Sequence, residues 1–216
     1  MISNYKHIIW DWNGTLLNDV DFCRRIINRI LRENRLPELS ISKYRDIFTF
    51  PVQDYYEAAG LDFNKVSFEL LGKDFMEEYE RNKLTCHLYE HSKFVLSEIH
   101  KRGLKQSVLS AYKQDTLTDI LKSYNLFDYF DFIIGSDNIY AGGKTHLGLK
   151  LIEKLNVEKN EILFVGDTLH DYEVAKAMGV NSLLIADGHQ AKEKLSVNGA
   201  IVLNNMKEFA DYLFKD

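Results

Sequence analysis

The chain has little of what organises small secreted or fibrous proteins. Only two of its 216 residues are cysteine. They are Cys23 and Cys86, far apart and without metal-ligand spacing, which excludes a disulfide framework and a zinc-type cysteine site and suits a reducing cytosol. Only two prolines occur, Pro37 and Pro51, so no proline-rich linker separates domains. No apolar run approaches the ~20 residues of a membrane span. Charge of one sign is not in excess either: 27 basic and 32 acidic residues are mixed along the chain for a net charge of −5. That leaves no basic stripe of the kind nucleic-acid binding needs. Repeats and low-complexity segments are absent, and the N-terminal residues lead into a strand pattern rather than a signal peptide. These absences predict a cytoplasmic protein with neither nucleic acid nor membrane as partner. At 45% hydrophobic and 12% aromatic residues, the chain can bury one domain with an insertion, or two small domains.

Periodicity divides the chain unevenly. Residues 7–11 read as a first strand. Residues 19–35 read as a helix, with Phe22, Ile26, Ile27, Ile30 and Leu31 at three- and four-residue spacing, ended by Pro37. Helical patterns follow at about 41–48, 52–59 and 64–82, so residues 17–88 contain no expected strand. From there strands and helices alternate. Apolar strands are predicted at 106–109, 132–135, 162–165, 182–185 and 200–203, with helices at about 89–102, 113–123, 145–155 and 170–178 and at the end. Continuously apolar strands between helices indicate a parallel sheet covered on both faces. The fold class is therefore α/β: a Rossmann-like parallel-sheet core, residues 1–16 and 89–216, with an all-helical cap, residues 17–88, inserted after strand one.

Chemistry-bearing residues gather at the carboxyl ends of these strands, where open α/β sheets bind ligands. Asp11 ends strand one in Asp11-Trp12-Asn13-Gly14-Thr15. Ser110 ends Val108-Leu109. Lys144 lies in Gly142-Gly143-Lys144-Thr145, and Asp167 and Asp171 lie in Gly166-Asp167-Thr168-Leu169-His170-Asp171. Taken singly, each has an ordinary reading: a turn, a helix cap, a solvated loop lysine. Taken together, two acidic clusters, a hydroxyl and a lysine on one sheet edge form a candidate active site.

This ordered set resembles the haloacid dehalogenase-like hydrolase superfamily, mostly phosphatases, and within it the helical-cap, phosphoglycolate phosphatase-like subfamily. The likeness runs from about residue 6 to 203. It implies Asp11 as a nucleophile that forms an aspartyl-phosphate. It implies Mg²⁺ held by Asp11, the Asn13 backbone carbonyl and Asp167, with Asp171 holding a metal-bound water or Lys144. Ser110 and the Ala111 amide would bind phosphoryl oxygens, and Lys144 would neutralise charge. Gly14 and Thr15 would shape the turn and border the phosphate site. Arg45, near Pro51 in the cap, is a candidate partner for a substrate carboxylate, as a phosphoglycolate-like ligand would require. The implied partner is a small phosphorylated metabolite, and the protein is expected to be a monomer or homodimer.

The sequence departs from the superfamily at Asn13, where its phosphatases usually carry a second Asp as general acid and base. An amide can do neither job, and general acid–base catalysis contributes typically ~10²–10⁴-fold. Alkyl phosphates should therefore turn over slowly, and aryl or acyl phosphates should suffer less in the first step. Three readings remain open on these residues. One is a phosphatase of modest rate, with water, His170 or a cap residue as acid. Another is a dehalogenase- or phosphonatase-type hydrolase, the latter needing a cap lysine such as Lys43, Lys65 or Lys73. The last is a non-catalytic binder of phosphate ligands.

Overall fold

In the computed structural model, residues 4–136, 143–196 and 199–214 are described; Gly142 of the lysine loop lies outside them. Strand β1 (His7–Trp10) is buried along its whole length because it is a central strand. It pairs in parallel with β4 (Lys105–Lys113) on one side and β6 (Ile162–Gly166) on the other. With β5 (Phe132–Ser136), β7 (Asn181–Ile185) and β8 (Ile201–Leu203), these form a six-stranded sheet in the order β5-β4-β1-β6-β7-β8, parallel throughout. The chain winds outward from β1 through β4 to β5, then returns to β6 and winds the other way. The direction reverses between β1 and β6, the position where such sheets open a crevice at their carboxyl ends.

Period-2 alternation splits the core between the two sheet faces. Ile8, Trp10, Val108, Leu163 and Val165 pack with α5 (Ser92–Lys101), α6 (Gln114–Ser123) and α10 (Met206–Phe214). Ile9, Leu109, Ile162 and Phe164 pack with α7 (Lys144–Lys154) and α8 (Leu169–Met178). Cys23 and Cys86 are both free and buried. Among the described residues no helix is long and apolar enough to cross a membrane.

Between the first two sheet strands lie α1 (Val20–Glu33), α2 (Ile41–Ile47), α3 (Val52–Ala58) and α4 (Phe68–Asn82). The expectation of no strand in 17–88 needs correction. Strand β2 (Leu17–Asn18) pairs antiparallel with β3 (His87–Leu88) where the chain enters and leaves this segment. Two-residue strands are too short to show alternation, so sequence pattern could not reveal them. Helix α1 also stops before Pro37 acts: Arg35 takes a left-handed φ of 59° and its N–H donates back to Arg32 O at 2.9 Å. A further short helix, α9 (Lys192–Leu195), was not anticipated.

Candidate active site

Asp11 sits one residue beyond β1, and its N–H still extends the ladder to Val165 O at 2.8 Å. That backbone bond fixes the carboxylate at the β1/β6 crevice. Its Oδ1 accepts from Lys144 Nζ at 2.5 Å, and the same ammonium donates to Asp171 Oδ1 at 2.6 Å. Lys144 is the first residue of α7, so the helix start carries it under the sheet edge, where it is buried. The other oxygen of Asp171, Oδ2, belongs to the capping box of α8. It accepts from Thr168 N at 3.0 Å and Thr168 Oγ1 at 2.7 Å. One carboxylate thus starts a helix and orients the lysine.

Asp167 completes the group. Its Oδ2 accepts from His189 N at 2.6 Å, and Thr15 Oγ1 lies 3.1 Å from both Asp167 Oδ1 and Asp11 Oδ2. Gly14 and Gly188 are needed here: a Cβ on either would come within 2.4 Å of Asp167 Oδ2. Carboxylate oxygens of Asp11, Asp167 and Asp171 lie within 4.8 Å of one another. Burial pushes the Asp11 pKa up to about 6 and that of Asp167 up to about 8. For Lys144, burial alone would favour loss of the proton, but Asp11 and Asp171 outweigh it and hold the ammonium charged. Asp171 is likewise kept ionised against its burial by Lys144. Three buried carboxylates against one ammonium leave surplus negative charge, and an all-oxygen set of this kind fits a hard divalent cation.

Asn13 does not face the crevice alone. Its Nδ2 donates to Asp19 Oδ2 at 2.8 Å and to Tyr79 Oη at 2.7 Å. Tyr79 donates to the same Asp19 oxygen at 2.8 Å. Asp19 Oδ1 accepts from Gly14 N at 3.0 Å and faces His189 Nε2 at 3.3 Å. Asp19 stands at the N-cap of α1 yet makes no capping bond, because its carboxylate is committed to this cluster. Burial alone would raise the Asp19 pKa, but His189 and the donors around it lower it, while Asp19 raises that of His189 against burial. Since an ionised carboxylate only accepts, the amide of Asn13 must turn its nitrogen toward Asp19. Both Nδ2 hydrogens are then in use.

The sequence-predicted residues divide accordingly. Asp11, Asn13, Ser110, Ala111, Lys144, Asp167 and Asp171 converge on one cavity of about 210 Å³. Ser110 is buried, and its Oγ accepts from Tyr112 N at 3.1 Å, so its own hydrogen remains available to a ligand. Three of the expected substrate-site residues stand off this cavity. Gly14 N is taken by Asp19 and Leu17 O, and the Thr15 hydroxyl is taken by two carboxylates; neither residue lines the cavity. Arg45 is not in the cavity either. Its guanidinium donates to Gly188 O at 3.0 Å and Asp187 O at 2.7 Å, latching α2 to the loop after β7. Lys43, Lys65 and Lys73 are exposed and pair with Asp46, Asp62 and Glu77, so none is placed for Schiff-base chemistry in the cavity.

Asp19, Tyr44, Tyr79 and His189 went unrecognised in the sequence. His189 carried one usable signal. It follows Asp187-Gly188 at the carboxyl end of β7, a turn on the same sheet edge as Asp11 and Asp167. Tyr44 Oη meets His189 Nδ1 at 2.8 Å, a contact between residues too distant in sequence for any local pattern to show.

Carboxylates at the switch point of a doubly wound parallel sheet mark a ligand-binding α/β protein. The chain belongs to the haloacid dehalogenase-like hydrolase family, whose sequence profile matches residues 8–185. It is similar to the phosphoglycolate phosphatase of Vibrio parahaemolyticus, with 24% identity over 219 residues covering 97% of this chain and 96% of the relative. The corresponding enzyme of Aliivibrio fischeri is 22% identical over 206 residues, covering 91% and 90%. In fold it is similar to a haloacid dehalogenase-like family hydrolase from Streptococcus pneumoniae. That structure superposes with a TM-score of 0.81 at 18% identity, over 97% of this chain and 99% of the other.

Proposed function

We propose that this chain is a Mg²⁺-dependent phosphatase of small phosphate monoesters, acting in the cytoplasm through an aspartyl-phosphate on Asp11. The observation that carries the reading is the buried Asp11 carboxylate on the cavity wall, with Lys144 Nζ at 2.5 Å and Ser110 on the same wall. Asp11, Asp167, Asp171 and the Asn13 backbone carbonyl are the residues to hold Mg²⁺. Such an ion, when bound, offsets the carboxylate charge and lowers the repulsion met by an anionic substrate. Segment 17–88 acts as the cap over a core formed by 1–16 and 89–216.

The chain's own residues divide the work as follows. An Asp11 oxygen bonds to phosphorus while the bond from phosphorus to the ester oxygen breaks, and the electron pair leaves with that oxygen. Ser110 and the Ala111 amide donate to the phosphoryl oxygens, and Lys144 balances charge on Asp11. Water then attacks the phosphorus and releases inorganic phosphate and the free Asp11 carboxylate. Asn13 supplies no proton to the leaving oxygen, because both its Nδ2 hydrogens are bonded elsewhere. His170 is a poor substitute, since burial lowers its pKa below the usual 6.5. The leaving oxygen therefore takes its proton from solvent.

The test is phosphate release from acetyl phosphate with and without Mg²⁺. Wild type is expected to turn over only with the metal, and Asp11→Asn to lose about 10³-fold or more, as nucleophile removal does elsewhere. The locked amide of Asn13 favours one second reading, a phosphate-ligand binder without turnover. Tight binding of phosphate esters by a wild type that leaves acetyl phosphate intact would select it.

A further inference from the structure

We infer that the leaving group is an uncharged, single-ring aromatic alcohol rather than a carboxylate-bearing one such as glycolate. This rests on the phosphatase reading above and names its substrate class. Above the carboxylates the cavity is walled by Phe48, Phe50, Tyr56, Phe68, Phe75 and Met76, all from the helical segment. None of the lysines or arginines of that segment lines it. The residue best placed by sequence to meet a substrate carboxylate, Arg45, spends its donors on the carbonyls of Asp187 and Gly188. On the sheet side, Lys144 is held between Asp11 and Asp171. His189 faces Asp19, and the ring of His170 packs on Phe50 with centroids 5.0 Å apart. Lys113 is the cation that does line the cavity; it stands exposed at the end of β4, outside the helical segment that supplies the rings. A glycolate carboxylate pressed against these rings would be desolvated with no positive charge from the helical segment to offset it, which is costly. An aromatic ring gains burial and edge-to-face or offset contacts there.

Asn13 points the same way by separate chemistry. With no proton offered at the ester oxygen, the departing group must be stable as an anion. A phenol, with a pKa of about 10, leaves readily. An alkanol, with a pKa near the ~15.7 of water, does not. The cavity of about 210 Å³ lies below the roughly 300–1,000 Å³ of sites for drug-sized ligands, which suits one ring. Tyr55 also lines it, and its buried hydroxyl has no hydrogen-bond partner among the described residues. That leaves one polar group for a neutral ring substituent. In the reaction the bond from phosphorus to the phenolic oxygen breaks, Asp11 takes the phosphoryl group, and the phenoxide collects its proton from water.

The experiment compares kcat/KM for phenyl phosphate, phosphoglycolate and acetyl phosphate, together with inhibition by benzylphosphonate and by phosphonoacetate. Phenyl phosphate is expected to exceed phosphoglycolate by about 100-fold or more, the low end of what a missing general acid costs an alkyl ester. Benzylphosphonate, which has no leaving group to protonate, reports the cavity alone. It is expected to inhibit at a concentration at least about tenfold lower than phosphonoacetate, or about 1.4 kcal/mol. In Met76→Lys that order is expected to reverse. Phosphonoacetate binding as tightly as benzylphosphonate, or phosphoglycolate turning over as fast as phenyl phosphate, overturns the inference. If acetyl phosphate is untouched, the phosphatase reading fails instead. The cavity is then judged by which phosphonate raises the melting temperature in the presence of Mg²⁺: a larger rise with benzylphosphonate supports the aromatic preference, and an equal or larger rise with phosphonoacetate overturns it.

Discussion

Asn13 and Asp19 form a donor–acceptor pair that decides how the missing acid can be restored. In Asn13→Asp an acceptor replaces the Nδ2 that now lies 2.8 Å from Asp19 Oδ2. Two carboxylates that close share one proton, and the pKa of one rises steeply. The proton is then held between residues 13 and 19 instead of being offered to an ester oxygen. The single variant is expected to lose about 1–3 kcal/mol of stability, the cost of leaving a buried polar group mismatched, with little gain on alkyl phosphates. Combining it with Asp19→Asn restores one donor facing one acceptor, and the amide oxygen introduced at position 19 can still accept from Gly14 N. The double variant is expected to recover most of the stability and to raise butyl phosphate turnover by about 10²–10⁴-fold. Urea unfolding and butyl phosphate assays on the two variants decide the matter. A single variant that is both as stable as wild type and the more active of the two would show that residues 13 and 19 are not coupled in this way.

Among the elements, the contact of α2 and its flanks with the loop after β7 shapes the site most. Besides the Arg45 bonds, Gln190 Nε2 donates to Phe48 O at 2.9 Å, Lys194 Nζ to Asp46 O at 2.6 Å, and Ala191 N to Arg45 O at 3.2 Å. This loop carries His189, whose N–H holds Asp167, so the helical segment is tied to the carboxylate cluster through one short stretch of chain. Arg45→Ala removes charge-assisted bonds worth about 1.5–3 kcal/mol each at most. It is expected to speed hydrogen exchange in α2 and in residues 187–191 and to lower kcat for every substrate alike. A loss confined to phosphoglycolate would return Arg45 to the role of carboxylate clamp. The sheet was legible in the sequence because its strands are apolar runs, and Asp11, Lys144, Asp167 and Asp171 stood out because each follows one. The bonds of Arg45 to Gly188 O and Asp187 O were not legible, because residue type does not distinguish a substrate carboxylate from two backbone carbonyls. Asp19 and Tyr79 were missed because their meeting depends on how α4 packs against α1, across 60 positions of sequence, which no local period records.

For the molecule as a whole, the carboxylate cluster is a destabilising feature that a bound cation would relieve. The pKa of Asp11 is raised to about 6 and that of Asp167 to about 8, each from 3.8. A carboxyl group with a raised folded pKa keeps its proton where the unfolded chain has released it. Metal-free stability is therefore highest below pH ~4 as far as these two groups are concerned, and falls as pH rises from there toward 8. Mg²⁺ held by these carboxylates would compete with those protons for the same oxygens, so it is expected to bind poorly at pH ~5 and well at pH ~8. Ligand binding to the folded state stabilises by RT ln(1 + [L]/Kd), about 2.7 kcal/mol at a hundredfold excess over Kd. Adding Mg²⁺ is accordingly expected to raise the melting temperature by several degrees at the higher pH and scarcely at the lower, and chelation should reverse the rise. Asp167→Asn removes one of the competing charges. It is expected to melt higher than wild type without metal at the higher pH and to lose most of the Mg²⁺ response. Thermal scans at the two pH values, with Mg²⁺ and with chelator, are sufficient. A metal response equal at both, or undiminished in Asp167→Asn, would place the cation elsewhere than among these carboxylates.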